Sequence, residues 1–271
     1  MYEEDQTRLS RRRLEEISTR LHRRDQAILR ALEACRYMTT TQISDLHFPD
    51  AATRSAAARA AHRAVTKLQS YGLIFALERR IGGIRKGSGA YVWSLAQPGL
   101  KLLSLGQDID PARRRSFEPS PRFLEHTLVV TQLYVQLLSL DGVNILSVQH
   151  EPNCWRTYPS VGGAAQLKPD LYAISSCDDY EDHWFFEIDL ATESLARILK
   201  KCQQYQDYYR CGCEQRGIGV FPRVVWVVPD GKRKSAILSR IKHDKELYKK
   251  DLFVVILPDE LESLVQTGGQ L

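Results

Sequence analysis

The residues most suited to chemistry are carboxylates set into two strand-like apolar runs. The segment LKPDLYAISSCDDYEDHWFFEIDLATES, residues 167–194, places Asp170 at the head of the first run. Glu187 and Asp189 interrupt the second run. Side chains of a strand alternate between faces, so Trp184, Phe186, Ile188 and Leu190 share one side while Phe185, Glu187 and Asp189 share the other. Burying carboxylates costs several kcal/mol unless a cation or hydrogen-bond donors compensate. If the two runs pair, Asp170 and Glu187 converge at the sheet edge. Two carboxylates and a main-chain carbonyl form a hard oxygen site for Mg²⁺ or Mn²⁺. Such a metal polarises a phosphoryl oxygen and acidifies its bound water. An ion network with Arg197 is the other reading of Glu187 and Asp189, and the residue types alone leave both open.

Other chemistries find less support. The six cysteines (35, 154, 177, 202, 211, 213) contain no CxxC pair, and Cys211-Gly-Cys213 is too tight for a usual chelate. They read as reduced cytosolic thiols. The tyrosines 205, 208 and 209 would need a His-rich metal triad to act as a relaxase nucleophile, and the seven histidines show no such cluster. Packing explains these tyrosines more simply. With no phosphate-binding G-x-x-x-x-G-K-[ST] loop, no nucleotide cofactor is expected. No apolar run approaches membrane-spanning length and no signal core is present, so a cytoplasmic protein without membrane contact is expected.

Charge is uneven along the 271 residues. Residues 51–115 carry twelve Lys/Arg against three acids, a net +9, whereas residues 123–271 carry sixteen against twenty, a net −4. A basic segment beside an acidic one suggests that the first meets a polyanion and the second holds cations. Residues 1–24 read as a lead-in helix. Residues 25–105 read as three helices and a hairpin. The first helix carries Ile28, Leu29 and Leu32, and the second is capped by Thr41. The third, ATRSAAARAAHRAVTKLQSYG, is closed by Gly72. Arg59, Arg63 and Lys67 stack along one face of the third helix, opposite Ala61, Val65 and Leu68. The hairpin tip holds Arg79, Arg80, Arg85 and Lys86. This order is that of a winged helix-turn-helix, with the third helix in the major groove of double-stranded DNA and the tip on phosphates.

Residues 106–120 read as a Pro-, Arg- and Ser-rich linker, and residues 121–271 as an α/β domain of order α-β-β-β-α-β-α-β with a mixed sheet. The KPD triplet, the seventeen positions from Asp170 to Glu187, and FFEID followed by a helix resemble the PD-(D/E)XK nuclease-like superfamily. The whole chain, a winged helix followed by PDLYAI, FFEIDLATES and KKCQQYQDYY, resembles the replication-relaxation family of plasmids and other mobile elements.

The resemblance implies a restriction-endonuclease-like mixed sheet flanked by helices, with Asp170 and Glu187 as metal ligands. Glu125 or Glu151 would supply a further ligand, and His126 could face the site. The superfamily's signature Lys two residues after the Glu is replaced here by Asp189. Lys200 and Lys201 on the following helix are candidates for the missing charge, and Gln204 and Tyr208 fit a Q-x-x-x-Y pattern of some exonuclease branches. The expected function is a DNA-binding accessory role in plasmid replication, relaxation or transfer, with phosphodiester hydrolysis by metal-activated water. The alternative is a non-catalytic regulator or adaptor whose nuclease-like domain binds DNA or a partner. A relaxase or replication protein is the protein partner to expect, and a homodimer would suit paired half-sites.

Overall fold

The structure is a computed structural model that describes residues 9–78, 90–105, 118–160, 162–177 and 180–269. It is a mixed α/β protein of two compact units dividing between Val135 and Gln136.

The N-terminal unit contains helices α1 (Arg11–Ser18), α2 (Arg23–Cys35), α3 (Thr40–His47), α4 (Arg54–Ser70) and α5 (Gln97–Leu103). Strands β1 (Met38–Thr39), β2 (Ile74–Ala76) and β3 (Val92–Leu95) form an antiparallel sheet of order β1-β3-β2. The tip residues Arg79, Arg80, Arg85 and Lys86 and most of the expected linker lie outside the described residues.

α4 begins where the Thr53 hydroxyl accepts from the Ala56 N–H, and it buries Ala57, Ala61, Val65 and Leu68 at helical spacing. Gly72, at φ +69°, takes the left-handed conformation beyond the helix end. The cap of α3 is Thr39, not the expected Thr41. Gln42, three residues on, returns a bond to the Thr39 N–H, and this reciprocal box fixes the start of the helix two residues earlier.

Helix α6 (Pro121–Leu138) spans the division between units. Its earlier turns belong with the N-terminal unit: the Leu128 carbonyl accepts from Gln42 Nε2 at 2.8 Å, and the Thr131 hydroxyl donates to the Tyr37 carbonyl at 3.1 Å.

In the C-terminal unit, β4 (Asn144–His150), β7 (Leu171–Cys177), β8 (Tyr180–Ile188), β9 (Arg223–Val227) and β10 (Phe253–Ile256) make one sheet of order β10-β9-β8-β7-β4. β8, β9 and β10 run parallel, while β7 is antiparallel to both β8 and β4. The parallel crossovers are α7 (Leu195–Cys211), followed by the short α8 (Cys213–Ile218), and α9 (Gly231–His243); α10 (Leu261–Gln266) closes the chain. A separate hairpin, β5 (Arg156–Ser160) with β6 (Gly163–Leu167), is inserted between β4 and β7 and has no counterpart in the expected order. α7 and α9 share one core with the sheet, built from Phe185, Tyr205, Cys202, Val224 and Ile237. Because β8 is central and covered on both faces, every residue from Trp184 to Asp189 is buried, including the two carboxylates. Among the described residues no helix is long and apolar enough to cross a membrane.

Candidate functional site

The antiparallel ladder of β7 and β8 sets the geometry of the site. Leu171 lies opposite Phe186, and the Asp170 N–H donates to the Phe186 carbonyl at 3.1 Å, so Asp170 enters the sheet beside Glu187. The Asp170 carboxylate accepts from the Ile188 N–H at 2.7 Å. Glu187, 4 % exposed, points to the face covered by α7. There Lys201 and Tyr205, one helical turn apart, meet it. The Tyr205 hydroxyl donates to Glu187 Oε1 at 2.5 Å, and Lys201 Nζ lies 3.1 Å from the same oxygen. Lys201 Nζ also donates to the Lys168 carbonyl at 2.7 Å, tying α7 to the approach of β7.

Charge at this point is under-compensated. Burial pushes Glu187 up to about 8, with Lys201 opposing the rise and Asp170 adding to it. Burial likewise pushes Asp170 up to about 7, against the Ile188 N–H and Lys201 and with the help of Glu151. For Lys201, desolvation favours the neutral amine, but the Glu187 and Asp170 charges outweigh it and raise its pKa. Tyr205 is raised well above the usual phenol range, first by burial, so its hydroxyl stays a donor. Two carboxyls held against their ionised forms, one buried and one half-buried, fit a hard divalent cation, which would restore their charge. Both protein donors fall on Oε1 of Glu187, and Oε2 takes part in neither bond. Asp170 as a whole residue is half-buried.

The other anticipated residues divide. Asp189 is as buried as Glu187 but faces Arg233, which grips it at 2.5 Å through Nε and 3.1 Å through Nη2. Its Oδ1 also accepts from Ala191 N–H, holding a turn in which Ala191 has φ +57°. Arg197, proposed as the partner of these carboxylates, instead lies 3.5 Å from Glu193. Lys200 is exposed, and it is Lys201 that reaches the site. Glu151 accepts from the Trp155 indole at 3.3 Å and acts on Asp170 through its charge. Glu125 and His126 stand on the part of α6 that belongs to the N-terminal unit. Tyr208 packs against Tyr158 and Phe221, whereas Tyr205 carries the contact to the carboxylate. The four-residue interval from Lys201 to Tyr205 was the available signal for that pair.

In the N-terminal unit Arg59 and Arg63 are exposed on α4, and the Arg59 guanidinium donates to the Ser55 hydroxyl at 3.2 Å. Lys67 is drawn off this stripe by buried Asp25, at 2.7 Å.

The protein thus combines a helical unit bearing a small antiparallel sheet with an α/β unit in which two adjacent strands bring Asp170 and Glu187 together beside a lysine and a tyrosine. A family model described as replication-relaxation matches residues 29–224, and the chain belongs to that family. No curated protein and no solved structure gives a significant match. Membership points to a role in the replication or relaxation of plasmids and mobile elements, and to contact with DNA or the replication machinery.

Proposed function

We propose that the protein is a DNA-binding accessory factor of plasmid or mobile-element replication, relaxation or transfer, with a metal-dependent phosphodiesterase site in a restriction-endonuclease-like C-terminal unit. The observation that carries this reading is Lys201, whose ammonium sits 3.1 Å from Glu187 and acts electrostatically on Asp170. It supplies from α7 the positive charge that Asp189, just past the end of β8, cannot supply. Mg²⁺ or Mn²⁺ held by Asp170 and Glu187 would bring Lewis acidity and a bound water of lowered pKa. The chain's own residues do the rest. Tyr205 fixes the rotamer of Glu187, Lys201 offers positive charge to a scissile phosphate and its attacking water, and the Arg233–Asp189 pair holds the end of β8 rigid.

For the N-terminal unit, the order α2-β1-α3-α4-β2-β3 with an antiparallel sheet supports a winged helix. In this reading Arg59 and Arg63 meet duplex DNA and Arg79, Arg80, Arg85 and Lys86 extend the contact from the segment joining β2 to β3. A relaxase or replication protein is the protein partner this role calls for.

The test is nicking of supercoiled plasmid with Mg²⁺ or Mn²⁺ against EDTA. Metal-dependent nicking that disappears in Asp170→Ala and Glu187→Ala is expected; equal nicking by both variants would overturn the reading. One observation favours a non-catalytic regulator or adaptor instead: among the described residues no group of three or more His, Cys, Asp or Glu is placed to hold a metal. That second reading expects tight DNA binding without cutting in all three proteins.

A further inference from the structure

The C-terminal unit is acidic as a whole, yet its positive charge is concentrated. Of the sixteen Lys/Arg after residue 122, eight fall between 232 and 250, against two acids in the same stretch. Most of this stretch is α9. The helix buries Ile237 and Ile241 against the core, and on that side Arg233 is committed to Asp189 and Lys234 to Glu260. The opposite face is different. Lys232, Ser235, Ser239, Lys242 and His243 recur at intervals of three and four and line the outer side of the helix, with Arg240 on the flank. Among the described residues Lys232, Arg240 and Lys242 form no ion pair, and no acidic side chain stands on this face of the helix. His243 Nδ1 lies 2.8 Å from the Ser239 carbonyl, which directs the other ring nitrogen away from the helix.

We infer that the outer face of α9 is a second nucleic-acid contact surface, which holds the phosphate backbone of DNA alongside the carboxylate site. The inference rests on the reading that the chain acts on DNA. Charged side chains at both ends with hydroxyls between them suit a row of phosphates, which Lys and Arg neutralise and Ser positions. From Lys232 to Lys242 the helix rises about 15 Å, enough for two or three phosphates. The face has a fixed relation to the site, because Arg233 pins the start of α9 to Asp189, two residues beyond Glu187. An anionic membrane surface would call for an apolar stripe beneath the charges. Leu238 is the single large apolar residue exposed on α9, so the chemistry selects nucleic acid.

The test measures binding of the full-length chain to a fluorescent 30-base-pair duplex across a salt series, for the wild type, K232Q/R240Q/K242Q and R59Q/R63Q. Every phosphate that a variant no longer neutralises lowers the slope of log affinity on log salt by roughly 0.9. The triple variant is therefore expected to have a slope shallower by about 2 to 3 and an affinity about tenfold weaker, with an unchanged melting temperature. A wild-type slope and affinity in the triple variant, with binding weakened in R59Q/R63Q, overturns this inference and leaves the proposed function standing. Absence of salt-dependent duplex binding by the wild type overturns both. If the triple variant instead fails to bind phosphatidylserine vesicles that the wild type binds, and keeps its DNA affinity, the face belongs to a membrane and the nucleic-acid assignment is overturned.

Discussion

Glu187, on β8, and Asp189, just past its end, stand two residues apart and are equally hidden, at 4 % and 3 % exposure. Their surroundings differ. Asp189 receives two guanidinium N–H groups and a backbone N–H over both of its oxygens, and the guanidinium also donates to the Glu193 carbonyl. Glu187 receives one hydroxyl and one ammonium, both at a single oxygen, with the Asp170 carboxyl acting on it. A fully matched charge locks the strand to α9. An under-matched one is, in the proposed reading, the place for a cation. The same kind of side chain, two residues apart, meets a guanidinium at one position and a lysine with a tyrosine at the other because of what the following helices bring to it.

Breaking the matched pair is expected to have the largest effect on stability. Arg233→Ala leaves Asp189 buried without its partner and should cost about 3–5 kcal/mol in urea unfolding; a cost below about 1 kcal/mol would show that Asp189 has no need of the guanidinium. Glu187→Gln, at a position where burial already favours the neutral carboxyl, should cost less stability in EDTA than Arg233→Ala while abolishing metal-dependent nicking. The two helix lysines sharpen the contrast next. Lys201→Ala should slow nicking about 100-fold or more, whereas Lys200→Ala should stay within about threefold; equal effects would remove Lys201 from its assigned place. Tyr205→Phe deletes one bond to Glu187 and should destabilise by about 1–3 kcal/mol, less than Arg233→Ala. Its nicking should fall less than that of Lys201→Ala.

The carboxylate pair was legible in the sequence because it depends on local pattern. Two apolar runs separated by a short acidic segment pair antiparallel, and that register alone brings Asp170 beside Glu187. Lys201 was legible only as one of two neighbours, since the choice between it and Lys200 depends on which face of α7 meets the sheet. Arg233 was not legible at all. It lies forty-four residues from Asp189 and reaches it through the β8-α7-β9-α9 connection. Lys67 matched the basic stripe by spacing, but spacing could not reveal the buried Asp25 that engages it. The β5–β6 hairpin escaped notice because it is largely exposed and rich in small residues, so no apolar alternation marks it.

The most direct test of the asymmetry between the two carboxylates is calorimetric titration of the full-length chain with Mn²⁺, comparing the wild type with Asp170→Asn and Glu187→Gln. Saturable binding to the wild type, absent from both variants, is the predicted result. Wild-type binding in both variants would contradict the account, for the cation would then belong to some other part of the molecule.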